Sequence, residues 1–224
     1  MRRLRYFVLA LTLVSLPLSA GERIPADPVY IFQSIGVEQG YTTATPYSVI
    51  QDSKGFLWIS SMNGLLRYDG FELVLFGEKY GVPESHAVQV IEAPDGKIWT
   101  VSLGKIFYFD GDMFRVLNTG MEDLLESQKL PFEKRLAFDK SGNIYVIHQT
   151  GIVRFDAGDH RKNRIWLPGK DIPKGMVTAV KLSLDGTILF AVEDQLGRID
   201  PVSGNVTMMA KMGVVPAEAI FSIA

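Results

Sequence analysis

The stretch GFLWISSMNGLLRYDGFELVLF, at residues 55–76, decides the fold of this chain. It contains three short apolar runs, which are separated by Asn63-Gly64 and by Asp69-Gly70. Short apolar runs joined by Asn-Gly or Asp-Gly are typical of β-strands connected by tight turns, because these residues tolerate the backbone angles that such turns need. The stretch therefore predicts three consecutive antiparallel strands.

The same unit occurs four times along the chain. Its members are VIQDSKGFLWISSMNGLLRYDG (49–70), VIEAPDGKIWTVSLGKIFYFDG (90–111), LAFDKSGNIYVIHQTGIVRFDAG (136–158) and KLSLDGTILFAVEDQLGRIDPVSG (181–204). In each unit a glycine precedes a large apolar residue by three positions, and these glycines are 41, 46 and 44 residues apart. The repeat positions are Gly55 and Trp58, Gly96 and Trp99, Gly142 and Tyr145, and Gly186 and Leu189, with Gly64 in the second turn of the first unit. A period in the forties is typical of β-propeller blades.

The repeat predicts an all-β fold built from four-stranded antiparallel blades. The blades are expected at residues 44–80, 84–120, 133–170 and 177–212, and their first strands at Ser48–Gln51, Val88–Glu92, Arg135–Phe138 and Ala179–Leu182. Asp69-Gly70 and Asp110-Gly111 predict type I′ turns into the fourth strand. The recurring aromatic residues are expected to pack one blade against the next.

The N-terminal residues 1–20 have the three-part layout of a secretory signal peptide. Arg2, Arg3 and Arg5 precede an apolar run at 6–16, and cleavage is expected after Ala20, which leaves 21–224 as the mature domain. An uncleaved anchor is the alternative, but the run is shorter than the roughly 20 residues that span a bilayer. Cleavage changes the formal charge from −2 to −5, which disfavours a nucleic-acid partner. The chain has no cysteine, which excludes disulfides and zinc-thiolate sites.

Two segments depart from the regular repeat. Residues 118–134 form a longer connection than their counterparts, with a short acidic helix expected at 121–129. The stretch AEAIFSIA, at 217–224, is similar to the first strand of a fifth unit. Because an unclosed propeller exposes unpaired backbone at its edge, we expect this chain to be the N-terminal part of a longer protein, with the ring incomplete.

The pattern D-x-x-G-F-L-W-I-S-x-x-N-G-L-x-R-Y-D-G at 52–70 resembles the two-component regulator propeller repeat of bacterial sensor proteins. The lead-in FQSIGVEQGYTTATPYSVIQD at 32–52 is also similar to the start of such sensor regions. The resemblance implies a periplasmic propeller, followed in the full-length protein by a membrane helix and a histidine kinase or diguanylate cyclase. It also implies further blades, a homodimer in full length, and an outer strand at 29–34.

No catalytic or metal-binding constellation is apparent in the sequence. His86, His148 and His160 are dispersed and lack the spacing of metal ligands, so we expect no metal, no cofactor and no enzymatic activity of this chain. Loops at one end of a propeller channel are where binding residues concentrate. Those loops make the following residues candidates for contact with a small molecule or glycan, with ordinary turn residues as the alternative: Tyr47, Asn63, His86, Ser102, Gln149 and Glu193.

The function expected from these observations is a periplasmic ligand-sensing propeller within a membrane-bound signalling receptor. An exported propeller enzyme, such as a lyase or a glycan-active protein, is a second hypothesis, and it requires convergent histidine, carboxylate or metal groups at the channel. A passive protein-interaction scaffold is a third.

Overall fold

A computed structural model describes residues 34–41, 45–118, 135–148 and 151–211. The chain divides into Met1–Ser34, of which Ser34 alone is described, and Ile35–Ala224, to which all the following structure belongs. The predicted signal peptide, the acidic helix at 121–129 and the strand at 217–224 lie outside the described residues, as does all of the predicted strand at 29–34 except Ser34.

The described residues form four antiparallel sheets of four strands each, in a propeller arrangement with almost no helix. The first blade contains β1 (Pro46–Gln51), β2 (Leu57–Ser61), β3 (Gly64–Tyr68) and β4 (Leu73–Phe76); the second contains β5 (Ala87–Glu92), β6 (Ile98–Ser102), β7 (Lys105–Phe109) and β8 (Phe114–Val116). The third contains β9 (Leu136–Phe138), β10 (Ile144–His148), β11 (Gly151–Phe155) and β12 (Lys162–Trp166); the fourth contains β13 (Val177–Leu182), β14 (Ile188–Val192), β15 (Gln195–Ile199) and β16 (Val206–Lys211). Single 3₁₀ turns lie at Val37–Gln39 and Glu78–Tyr80. The all-β, four-stranded blade prediction is confirmed.

The turn between the first and second strands has the same geometry in every blade. Its glycines have φ values of 93°, 79°, 83° and 91°, at Gly55, Gly96, Gly142 and Gly186. This left-handed backbone region strongly favours glycine, since a Cβ would crowd the neighbouring carbonyl. The repeating glycine is therefore explained by the backbone of this turn.

The prediction of type I′ turns at Asp69-Gly70 and Asp110-Gly111 is wrong. Type I′ requires positive φ at both central residues. Gly70 and Gly111 have φ of 105° and 111°, but the residues flanking them do not have positive φ. The aspartate side chain sets the turn instead: Asp69 Oδ1 accepts the backbone N–H groups of Phe71 and Glu72, at 2.9 and 3.0 Å. The connection is thus a four-residue loop rather than a two-residue turn.

The core consists of apolar clusters that span neighbouring blades. Trp58 of β2 lies against Phe76 of its own blade, with ring centroids 5.0 Å apart, and against Phe114 of the second blade at 6.3 Å. Trp99 of β6 lies 5.3 Å from Phe138 of the third blade. Tyr145 belongs to a cluster that includes residues of the fourth blade. The expectation that the repeating aromatics pack blade against blade is confirmed.

Candidate functional site

A cavity of about 520 Å³ lies between the first strands of all four blades, and we call it the first-strand cavity. Its wall is mainly apolar, because β1, β5, β9 and β13 contribute mostly valine, isoleucine, leucine and alanine side chains. Glu92 and Lys181 are the charged residues of this wall. A concave, largely apolar cavity with a few polar groups is the usual character of a small-molecule site.

Most polar groups of this wall already join one blade to the next. Ser48 Oγ accepts the backbone N–H of Val90 at 3.1 Å. The buried Gln89 side chain pairs with the backbone of Leu136, donating to its carbonyl oxygen at 2.8 Å and accepting its N–H at 3.0 Å. Because these groups are engaged by the protein, they position the strands around the cavity and contribute little free hydrogen-bonding capacity to it.

Glu92 joins the second blade to the first at one end of the first-strand cavity. Its carboxylate accepts the backbone N–H of Ser53 at 2.9 and 3.1 Å and the Ser53 hydroxyl at 2.6 Å. Hydrogen bonds to a charged group are stronger than neutral ones. This contact therefore fixes the first turn of blade one against the end of β5.

The described members of the predicted binding set occupy strand ends and turns rather than the lining of this cavity. They lie at the starts of first strands and around the turns between second and third strands: Tyr47 in β1, Asn63 in the β2–β3 turn, His86 before β5, Ser102 at the end of β6 and Glu193 in the β14–β15 turn. Gln149 lies outside the described residues. None of the five predicted residues that the structure describes lines the first-strand cavity. Their role in binding stays a prediction.

Two of the predicted residues are connected through Ser85. The Ser102 hydroxyl donates to the Ser85 carbonyl oxygen at 2.6 Å, and Ser85 Oγ lies 2.7 Å from His86 Nδ1. The backbone N–H of His86 donates to the carbonyl of Met62, which precedes Asn63 in the first blade. The structure therefore brings His86 and Ser102 together beside the turn that contains Asn63. Glu193 lies in the fourth blade, where its backbone N–H donates to Met176 at 3.3 Å.

Backbone strain accompanies these loops. Among the described residues, His86, Leu103, His160 and Glu193 are the non-glycine residues with positive φ, at 41°, 45°, 54° and 50°. Such conformations are costly, and they persist where the surrounding contacts impose them. Two of the four are residues that the sequence predicts for binding.

The aspartate that opens the blade motif is structural. Asp52 is buried, and its carboxylate accepts the backbone N–H groups of Lys54 and Phe56 and the indole N–H of Trp58, the last at 2.7 Å. Asp139 has the same role in the third blade, where the Tyr145 hydroxyl donates to it at 3.3 Å. Burial raises the pKa of that tyrosine hydroxyl above its usual range.

The histidines and acidic residues do not converge. Within the described part of the chain, no group of three or more His, Asp or Glu side chains is arranged to hold a metal ion. Burial lowers the pKa of His148, and burial together with Lys97 lowers the pKa of His160. Both side chains are thus biased toward the neutral form.

From the sequence, binding residues are predicted in the loops at one end of the channel. The cavity in the structure is instead lined by the strands of the channel wall. The signal for the wall was present in β5 and β13, which read AVQVIE and VTAVKL. Apolar residues at consecutive positions indicate a strand that is covered on both faces. Gln89, a polar residue within such a run, marked the contact between blades.

The fold and its cavity define a protein of the β-propeller class. No protein-family model matches the sequence, and the curated proteins gave no match either. Solved structures do match. The extracellular domain of BT4673 from B. thetaiotaomicron, assigned in one structure to a hybrid two-component system, has a TM-score of 0.60 and 16% identity over 82% of this chain. A second structure of that domain, assigned to a one-component system, has a TM-score of 0.60 and 15% identity over 78% of this chain.

A propeller enzyme is also similar in structure. A catalytically inactive variant of virginiamycin B lyase from Staphylococcus aureus, solved with quinupristin, has a TM-score of 0.57 and 16% identity over 77% of this chain and 57% of its own. This chain spans about a quarter of the BT4673 structures, 23% in each case. At these identities the likeness shows the fold, and sensor domains and enzymes share that fold. No helix among the described residues is long and apolar enough to cross a membrane.

Proposed function

We propose that this chain is the periplasmic, ligand-sensing propeller portion of a membrane-bound bacterial receptor of the two-component regulator propeller family. The observation that carries the proposal is the blade motif at 52–70, whose residues resemble that repeat and contain the second and third strands of a four-stranded blade. The likeness to the extracellular domain of BT4673 supports the same role. In this proposal the receptor continues into further blades and a kinase or cyclase output domain, and it acts as a homodimer.

The ligand in this proposal is a small molecule or glycan, and the chain binds it without catalysing a reaction. The first-strand cavity supports this, because an apolar wall with Glu92 and Lys181 offers contact area and two opposite charges. The strained loops with His86 and Glu193 offer a second contact region. The lyase likeness keeps an enzyme as the alternative, although no group of three or more His, Asp or Glu side chains among the described residues could hold a metal ion.

A thermal-shift screen with mono- and oligosaccharides tests ligand binding. A ligand that binds only the folded state raises the melting temperature. Val49 lines the first-strand cavity with 62% of its surface exposed, so Val49→Trp fills the cavity without disturbing the core. We expect Val49→Trp to abolish the shift. Val116→Trp is the matched control, since Val116 is half exposed in β8 and does not line the cavity.

Equal shifts in the two variants would place the ligand elsewhere.

Sequencing the gene beyond Ala224 tests the signalling half of the proposal. We expect more repeats, a membrane helix and a kinase or cyclase domain. A stop codon directly after Ala224 would remove the receptor role.

A further inference from the structure

Each described blade that is followed by another contacts the turn between the third and fourth strands of that next blade. In the first blade, Trp58 lies 6.2 Å from Phe109, the residue at which the β7–β8 turn begins, measured between ring centroids. In the second blade, the cross-strand partners Trp99 and Tyr108 lie 5.7 and 5.9 Å from the ring of His160, in the β11–β12 turn. The same surface of one blade therefore receives the same turn of the next.

The third blade holds the corresponding turn by hydrogen bonds to its backbone. Arg154 of β11 donates from Nη1 to the carbonyl oxygen of Pro201, at 3.0 Å. Arg164 of β12 donates from Nη1 to the carbonyl oxygen of Ser203, also at 3.0 Å. A turn has carbonyl groups that its own strands do not pair, and a guanidinium group has five N–H donors to offer them. Two arginines therefore fix the β15–β16 turn on the third blade.

The fourth blade carries an arginine at the same position, but its side chain is much more exposed. The exposed fraction of the side chain is 45% for Arg198 and 17% for Arg154. Among the described residues, the Arg198 guanidinium reaches one carboxylate, that of Asp185, at 3.8 Å. We call this surface the blade-four face and define it by three cross-strand neighbours, which match Tyr145, Arg154 and Arg164 of the third blade: Leu189, Arg198 and Thr207.

A cavity of about 400 Å³ lies at the blade-four face, and its lining favours a polar occupant. The Asp200 carboxylate accepts the backbone N–H groups of Val202 and Ser203, both at 2.8 Å, so its own turn already uses it. Arg198 is then the charged donor of the lining, and an occupant that supplies carbonyl oxygens satisfies it. All the residues that line this cavity are polar: Thr187, Arg198, Asp200, Ser203, Asn205 and Thr207.

We propose that the blade-four face binds the turn between the third and fourth strands of a further blade in the same polypeptide. Arg198 donates to a carbonyl oxygen of that turn, as Arg154 donates to Pro201. The inference rests on the proposed function, in which the receptor continues into further blades, and it adds the surface and the donor that receive the next one.

The length of the chain after the fourth blade suits a covalently connected partner. Ten residues separate Trp166, at the end of β12, from Val177, at the start of β13. Thirteen residues follow Lys211, at the end of β16. A connection of this length presents a further blade to the face at a high effective concentration, which favours it over a second copy of the chain.

Photo-crosslinking in the full-length protein, made from the complete gene, identifies the occupant directly. With 4-benzoylphenylalanine in place of Thr207, we expect a link to the third-to-fourth-strand turn of the next blade, read by mass spectrometry of the peptides. The same amino acid in place of Arg164 is the positive control, since it should link to the peptide around Ser203. In place of Leu184, which is fully exposed in the β13–β14 turn, it should not link to a blade turn.

A denaturing gel separates the two sources of a blade turn. A link within one polypeptide leaves the chain mass unchanged, whereas a link between two copies doubles it. We expect the unchanged mass for the probe at Thr207.

Replacement of Arg198 tests the predicted hydrogen bond. Arg198→Met keeps most of the side-chain length and removes the donors, and we expect the full-length protein to unfold about 2–4 °C lower, as for Arg154→Met. Arg161→Met is the matched control, because Arg161 is 84% exposed and pairs with Asp159 at the surface. This variant should unfold at the wild-type temperature.

The possible failures are distinguishable. If the gene encodes further blades, but the probe at Thr207 links to a second copy or to no blade turn, the inference is overturned and the receptor role stands. The same holds if Arg198→Met unfolds at the temperature of Arg161→Met. A stop codon directly after Ala224 removes the receptor role and the inference together.

Discussion

At the residue scale, Asp52 connects a turn to the core. Its side chain accepts two backbone N–H groups of the β1–β2 turn and the indole N–H of the buried Trp58. Asp52→Ala removes all three bonds and leaves the indole N–H buried without an acceptor. We expect unfolding in urea to show a loss of about 3 kcal/mol, since such bonds to a charged group contribute about 1.5–3 kcal/mol.

Asp69→Ala is the control for this prediction. Asp69 also accepts two backbone N–H groups in a turn, but it is exposed and has no aromatic donor. Its replacement is expected to cost clearly less stability than that of Asp52. Equal losses would show that the turn, rather than the buried indole contact, determines the effect.

His160 and His148 give the stability a pH dependence. Burial lowers the pKa of both below the reference value of 6.5, and for His160 Lys97 lowers it further while Asp159 and Asp95 act in the opposite direction. Because the pKa of these histidines is lower in the folded than in the unfolded chain, the unfolded chain binds more protons as the pH falls below 6.5. We expect the free energy of unfolding to be lower at pH 5.5 than at pH 7.5.

His160→Asn tests the contribution of one histidine. Asparagine tolerates the positive φ of 54° at this position better than most non-glycine residues, so the backbone is preserved. The decrease in stability between pH 7.5 and 5.5 should be smaller in this variant. An unchanged decrease in urea titrations would assign the pH dependence to other groups.

At the scale of elements, the contact between β5 and β9 depends on Gln89. Its amide pairs with both backbone groups of Leu136, which lies in the next blade. Gln89→Leu leaves that backbone N–H and carbonyl without partners, and we expect a loss of about 2 kcal/mol, because each lost bond contributes about 1 kcal/mol. Hydrogen exchange is the sharper measurement, since the Leu136 amide should lose protection while amides within β1–β4 keep theirs.

Gln51→Leu is the matched control for the Gln89 prediction. Gln51 is exposed at the end of β1 and makes one longer contact, 3.3 Å, to the carbonyl of Gly55. We expect this variant to be close to the wild type in stability. If both variants lose the same stability, the amide contact between blades is not the cause.

The connections to the fourth strand show where local sequence rules fail. Asp-Gly between apolar runs indicated a two-residue turn, but the aspartate side chain competes for the backbone N–H groups of the following residues. The positive φ pair that defines such a turn occurs at Leu103-Gly104 instead, with 45° and 74°. The dipeptide therefore predicted the place of the hairpin but not its geometry.

At the scale of the whole molecule, the N-terminal residues predict export. The layout of residues 1–20 predicts cleavage after Ala20. Mass spectrometry of the protein recovered from a periplasmic extract is expected to show an N-terminus at Gly21. Replacing Ala20 by a bulky residue, as in Ala20→Phe, should block processing. An N-terminus at Met1 in the membrane fraction would support the uncleaved anchor.

The sequence by itself determined the blade: its period, its four strands, its turn glycines and its buried aromatics. These features depend on residues close in the chain, where backbone conformation and alternation of side chains act directly. Only the tertiary structure decided the first-strand cavity and the Gln89 contact between blades. Hydrogen bonds between blades join residues far apart in the chain, such as Ser53 with Glu92, 39 positions apart, and Gln89 with Leu136, 47 positions apart. Such contacts form only when the blades pack, and no local pattern records which side chains then meet.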